Sequence, residues 1–188
     1  MKPLFTIHAA EYLVADYIER NYHKAGNRLR VWVPSKDDGI DLLVTNENCQ
    51  KTVSLQVKYS KDFEHDRKYD AHGWWNLDSE KLKTSKADFW VFVLPKTRGS
   101  NMYKDCYFVG LSPKELARRL RKTGKKGKTL YMYLFVQEKN SSTNGSVVIE
   151  TRGLSKEECD ALLENPKGDR DFTQFLNNWN VILGKVLQ

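Results

Sequence analysis

Gly39-Ile40-Asp41-Leu42-Leu43-Val44 and Ser54-Leu55-Gln56-Val57-Lys58-Tyr59 read as two neighbouring β-strands that carry polar side chains among apolar ones. Two-residue periodicity places Ile40, Leu42 and Val44 on one face of the first strand and leaves Asp41, Leu43 and Thr45 on the other. In the second, Val53, Leu55 and Val57 fill one face, while Ser54, Gln56 and Lys58 project from the opposite one. Pairing of the two strands would bring together an acid, an amide and an ammonium. A carboxylate and an amide carbonyl are hard oxygen ligands for a divalent cation such as magnesium, and a lysine beside them adds a mobile positive charge. The trio suits phosphodiester hydrolysis, in which a metal polarises a phosphoryl oxygen and activates water while the lysine orients that water or offsets developing charge. The same residues also fit the solvated outer face of an antiparallel sheet, where they would carry no chemistry.

Outward from this pair, residues Thr6 to Tyr22 read as a helix, with Ile7, Ala10, Leu13, Val14, Tyr17 and Ile18 forming an apolar stripe. Glu11 sits within about 20° of Ile18 on the helical wheel, where an acid calls for a cationic or metal partner unless it reaches past the edge of the stripe. Strands are expected over Arg28 to Val33, Ile40 to Thr45 and Thr52 to Tyr59, joined by short turns as an antiparallel meander. A long polar loop from Ser60 to Gly73 leads to Trp74-Trp75-Asn76-Leu77. Beyond it lie a short helix over Asp78 to Lys86 with Asp78 as N-cap, and a buried strand, Phe89 to Leu94. Tyr103 to Val109 reads as a strand, and Ser112-Pro113-Lys114-Glu115 opens a helix. Strands over Leu130 to Val136 and Val147 to Thr151, and helices over Ser155 to Leu163 and Phe172 to Leu187, complete the chain.

The 188 residues suit one domain with a substantial core, and 40% hydrophobic with 12% aromatic residues is a folded composition. Thirty-one Lys and Arg against 24 Asp and Glu give a net charge of +7, which favours polyanionic partners and disfavours basic ones. Cys49, Cys106 and Cys159 show neither paired spacing nor an even count, so a reducing cytoplasm is expected. No apolar run reaches membrane-spanning length, and the N-terminal residues do not form a signal-peptide core.

The ordered set of Glu11 on an N-terminal helix, Gly39-Ile40-Asp41 on the second strand and Gln56-Val57-Lys58 on the third resembles the PD-(D/E)xK nuclease superfamily. Within it, the set is similar to the GxD and QxK branch of Mrr-type restriction endonucleases and Holliday junction resolvase-like nucleases. The likeness spans roughly residues 6 to 110, with 14 residues between Asp41 and Gln56, and residues 111 to 188 form a C-terminal elaboration. It implies an α/β, restriction-endonuclease-like α-β-β-β-α-β core with a mixed central sheet flanked by helices. It also implies a Mg2+-dependent endodeoxyribonuclease, with Mn2+ as a substitute, in which Asp41 is the principal metal ligand. Gln56 contributes its side-chain oxygen, Val57 its backbone carbonyl, Glu11 joins directly or through water, and Lys58 acts on the attacking water. The expected partner is DNA. Cutting both strands would favour a homodimer, and the alternatives are a catalytically inactive nucleic-acid-binding protein on the same fold or a nuclease subunit that acts only within a restriction, repair or transposition assembly.

Three further features have two readings each. His65 and His72 flank Asp66 in the long loop without a metal-ligand spacing. Trp74 and Trp75 could stack on unpaired bases, but core packing of at least one is the stronger reading. Lys114, Arg118, Arg119, Arg121, Lys122, Lys125, Lys126 and Lys128 crowd one stretch, which would either track phosphates or form a solvated helix face.

Overall fold

The computed structural model describes residues 3–22, 28–35, 38–60, 69–96, 106–124, 127–139 and 145–187, with side chains from residue 9 onward in the first helix. The elements run α1 (Pro3–Asn21), β1 (Arg30–Trp32), β2 (Leu42–Thr45), β3 (Thr52–Tyr59), β4 (Ala71–Asp78), α2 (Ser79–Lys83), β5 (Phe89–Pro95), β6 (Cys106–Leu111), α3 (Pro113–Thr123), β7 (Thr129–Glu138), β8 (Ser146–Glu150), α4 (Lys156–Glu164) and α5 (Trp179–Leu187). The fold is α/β: a five-stranded mixed sheet ordered β1-β2-β3-β5-β6, a three-stranded sheet ordered β4-β7-β8, and flanking helices.

β1, β2 and β3 form the expected antiparallel meander, and β5 joins β3 in parallel before β6 turns back. The alternation of β3 drives its placement. Val53, Leu55 and Val57 join Leu42 and Val44 in a core closed by Ala10, Val14 and Ile18 of α1 and by Ile182 and Leu183 of α5. On the other side of the same sheet, Trp90, Phe92 and Leu94 pack against Trp75 and Leu77 of β4 and Leu130, Met132 and Leu134 of β7. The Trp75 and Phe92 rings meet edge to face, 4.9 Å between centroids. β5 is thus buried on both faces, as its continuous apolar run predicts.

Local signals hold where they are strongest. Asp78 caps α2 by accepting from the N–H groups of Glu80 and Lys81, and Ser112 caps α3 with Pro113 in its first turn. Ser155 and Glu158 form a reciprocal capping box on α4.

Four expectations need correction. The stretch ending the long loop is not irregular, because Ala71–Asp78 forms β4, paired along its whole length with β7. The helix expected over Phe172 to Leu187 is broken: a 3₁₀ turn at Thr173–Phe175 precedes Asn177, which adopts φ +49°, and α5 begins only at Trp179. Asn177 also accepts from the N–H of Phe108 through its side chain, so tertiary pairing wins over helix continuation. Ile40 does not share a face with Leu42 and Val44. β2 starts at Leu42, and Ile40 packs instead with the core on the Trp90 side. The strand expected over Tyr103 to Val109 runs from Cys106 to Leu111, with 103–105 outside the described residues.

Candidate active site

The chain enters β2 through Gly39, whose φ of +80° lies in the left-handed region that glycine occupies without a Cβ penalty. Two residues later the backbone joins the sheet, with the Asp41 N–H donating to the Leu55 carbonyl at 2.9 Å. The Asp41 carboxylate then does what a backbone carbonyl does elsewhere in the ladder. Its Oδ2 accepts from the Val57 N–H at 2.6 Å, and from Gln56 Nε2 at 2.7 Å. Side chain and backbone of β3 therefore hold one carboxylate oxygen from two directions.

Gln56 is buried, and it presents its amide nitrogen to Asp41 while its Oε1 lies toward Gly39, 3.7 Å from where a Cβ would stand. A cation shared between Asp41 and Gln56 would need the amide turned about its terminal bond, exchanging Nε2 for Oε1. The N–H and C=O of one strand residue face the same strand edge, so the Val57 carbonyl points to the side on which its N–H meets Asp41. Lys58 follows on the face shared with Gln56, with Nζ 5.2 Å from the centre of the Trp90 ring. Trp90 is itself fixed by its Nε1–H bond to Ser85 Oγ at 2.9 Å.

Glu11 is only 8% exposed on α1, the helix whose Ala10 and Val14 cover the Leu42 and Leu55 face. The sequence reading of this acid as one with a burial cost is matched by its position. Ser54, which was expected beside Gln56 and Lys58, is committed elsewhere. Its N–H and hydroxyl both donate to Asp88 Oδ2 at 2.9 Å, and Lys185 approaches Asp88 Oδ1 at 3.1 Å. Burial raises the Asp88 pKa, but the Ser54 bonds and the Lys185 ammonium outweigh it and hold the carboxyl below its ordinary value.

The donor chemistry fits a hard cation: carboxylate, amide and backbone oxygens and no thiolate. Among the described residues no three His, Cys, Asp or Glu side chains gather as a metal-binding group, so a cation here would rely on amide and backbone oxygens as well. His65, Asp66, Lys125 and Lys126 lie outside the described residues, and His72 sits on β4 with its ring 6.1 Å from Phe135.

Of the five basic residues on α3, one is buried and two more are paired with acids at the surface. Arg119 is buried, donates to the carbonyls of Gly168, Asp169 and Asp171, and stacks over Phe175 at 4.8 Å. Arg118 and Lys122 both pair with Asp169, and Glu115 accepts from Arg118 and Arg119. Those bonds, Arg118's first, pull the Glu115 pKa down to about 2. Lys114, Arg118, Arg121 and Lys122 are all exposed. The sequence reading passed over a second arginine cluster, in which Arg170 donates to the fully buried Glu150 at 2.7 Å beside Arg152. A charged pair formed only by tertiary packing leaves no local pattern to find.

Comparison of the chain with protein-family models, curated proteins and solved structures finds no match. No helix among the described residues is long and apolar enough to cross a membrane.

Proposed function

We propose that this protein is a metal-dependent DNA endonuclease whose site is Asp41, Gln56, Val57 and Lys58, with Glu11 as a further ligand. One observation carries the reading: a carboxylate at the entry of β2 is held against Gln56 and Val57 of β3, and Lys58 follows on that strand. Bound Mg2+, or Mn2+ in its place, would supply Lewis-acid activation of water and of the phosphoryl oxygen. Asp41, and the Gln56 amide once turned, would hold that ion through oxygen, with the Val57 carbonyl beside them. The Lys58 ammonium, set over the Trp90 ring, would face the non-bridging oxygens on which negative charge grows. One site per chain favours a homodimer for cutting both strands, or assembly with a partner subunit.

Incubating the protein with plasmid, single-stranded and branched DNA in Mg2+, Mn2+ or EDTA tests this. Asp41→Asn keeps an acceptor for the Val57 N–H, and Lys58→Met keeps the stem. Both are expected to abolish metal-dependent cleavage while the far-ultraviolet circular dichroism spectrum is unchanged. Full turnover by either variant overturns the assignment. The pairing of Gln56 Nε2 with Asp41 favours a second reading, in which the amide satisfies the acid without metal and the protein binds nucleic acid without cutting it. DNA binding with no Mg2+ uptake by calorimetry, and no cleavage, selects that reading.

A further inference from the structure

The three-stranded sheet shows its two faces unequally. Ala71, Gly73, Trp75 and Leu77 of β4 and Leu130, Met132 and Leu134 of β7 point inward, so the alternate residues His72, Trp74, Asn76, Tyr131 and Tyr133 point outward. α4 covers the β8 side of this outer face through Cys159 and Leu163 against Val147 and Ile149. The β4 side carries no such cover among the described residues, and Trp74, Tyr131 and Tyr133 are 38%, 43% and 37% exposed. Trp74 and Tyr133 are direct cross-strand partners, edge to face at 6.3 Å, and Tyr131 stands opposite Asn76, about 6.8 Å further along β7.

This aromatic row runs into a cationic hollow. A pocket of about 620 Å³ is lined by Tyr131, Lys122, Arg152 and Arg170 and by glycine backbone. Arg152 Nη1 donates to the Tyr131 carbonyl at 2.8 Å, while its Nη2 is buried and meets no acceptor among the described residues. Gly124 lets that guanidinium lie against the chain, since a Cβ there would be 1.6 Å from Nη2. The acids nearby are taken. Glu150 accepts from Arg170 and from the Arg152 N–H, and Asp169 pairs with Arg118 and Lys122.

We infer that this face binds single-stranded DNA, with bases stacking on Trp74, Tyr133 and Tyr131 and a phosphate of the same strand at Arg152. Planar rings tolerate any base, and the Arg152 guanidinium lining the hollow supplies charge that a backbone phosphate answers. An apolar protein partner would leave Arg152 unanswered, and duplex DNA does not offer base faces to a sheet. The face is physically tied to the proposed cleavage strand: Ser60, the residue after β3, accepts from the Trp74 N–H at 3.1 Å through its hydroxyl. The inference concerns binding alone, and only its choice of DNA over RNA rests on the nuclease reading.

Fluorescence anisotropy with a labelled oligo-dT, a duplex and an oligo-rU of equal length tests it, in EDTA and on the Asp41→Asn background so that cleavage plays no part. Trp74→Ala and Tyr133→Ala are each expected to weaken oligo-dT binding on the order of 5- to 100-fold, with duplex affinity unchanged and Trp74→Phe restoring most of the loss. Arg152→Gln should reduce the salt dependence of oligo-dT binding by about one counterion. Unchanged oligo-dT affinity in both aromatic variants overturns the inference, as does an equal loss for duplex. Preference for oligo-rU would assign the face to RNA instead, and a dimer that dissociates on Trp74→Ala in sedimentation would assign it to a second copy of the chain. Because cleavage is absent from this assay, failure of the proposed catalytic site leaves its outcomes unchanged.

Discussion

The five-stranded and three-stranded sheets handle polarity and exposure in opposite ways. The first is sandwiched between α1 and α5 on one side and β4 and β7 on the other, and sets Asp41, Gln56 and Lys58 among apolar neighbours. The second is covered on its inner face and, over β8, by α4, and leaves aromatic rings exposed on its β4 side. A polar group inside a covered sheet costs free energy unless bonded, so the Asp41 contacts with Gln56 and Val57 are also structural. Rings on an open face add little to folding. The sheets therefore separate a proposed catalytic site whose residues also serve stability from a face whose residues are nearly free of structural duty.

That contrast can be tested in steps. The largest expected effect is in the covered sheet, where Asp41→Asn or Lys58→Met should lower plasmid cleavage by about a thousandfold or more with the fold retained. If activity falls only as far as thermal stability does, Asp41 is purely structural and the contrast collapses. Adjacent tryptophans on β4 give a direct comparison. Trp75→Ala should cost about 3–5 kcal/mol in chemical denaturation, because the ring fills the space against Phe92. Trp74→Ala should cost about 1 kcal/mol or less, the scale of one cross-strand pair.

Arg170→Ala probes the one fully buried acid of the three-stranded sheet. Burial raises the pKa of Glu150, and Arg170 works against that rise. A folded pKa above the unfolded value means that the native state keeps a proton the unfolded chain releases, so this group's contribution falls as pH increases through that interval. Removing Arg170 leaves the carboxylate without its paired cation, and the loss should approach about 3–5 kcal/mol where Glu150 is ionised and shrink as pH falls toward the ordinary carboxylate range. A pH-independent loss would show that Arg170 acts through packing alone. The smallest effect belongs to Glu115. With its pKa held near 2 by Arg118 and Arg119, its contribution is present above the ordinary carboxylate range and is lost as pH falls from about 4.5 to about 2. Glu115→Gln should lower stability modestly at pH 7, flatten the acid-unfolding profile in that window and change little below it.

The parts of this arrangement visible in the sequence are those with local causes. Alternation in Val53, Leu55 and Val57 marks β3, Asp78 and Ser112 mark helix starts, and Ala10, Val14 and Ile18 mark the buried stripe of α1. Asp41, Gln56 and Lys58 stood out because each breaks an apolar pattern. β4 was missed although Ala71, Gly73, Trp75 and Leu77 alternate inward, because a glycine and two adjacent tryptophans blur two-residue periodicity. The fate of the α3 arginines was not legible at all. Arg119 reaches carbonyls some 50 residues away in the chain, and only the folded structure brings them into range. The same holds for Lys58 over Trp90, whose strands meet through a parallel pairing that no local pattern specifies.

The use of the Asp41 carboxylate as a rung of the β3 ladder gives the protein an internal reporter. The Val57 amide proton is bonded to a side chain and not to a carbonyl, so its protection from solvent exchange follows the position of one carboxylate oxygen. Any ligand that draws Oδ2 aside will shift the Val57 amide resonance and hasten its deuterium uptake, while the Asp41 amide, bonded to Leu55, keeps its own. Two neighbouring amides thus form a matched pair, one sensitive to occupancy of the site and one to the integrity of the sheet.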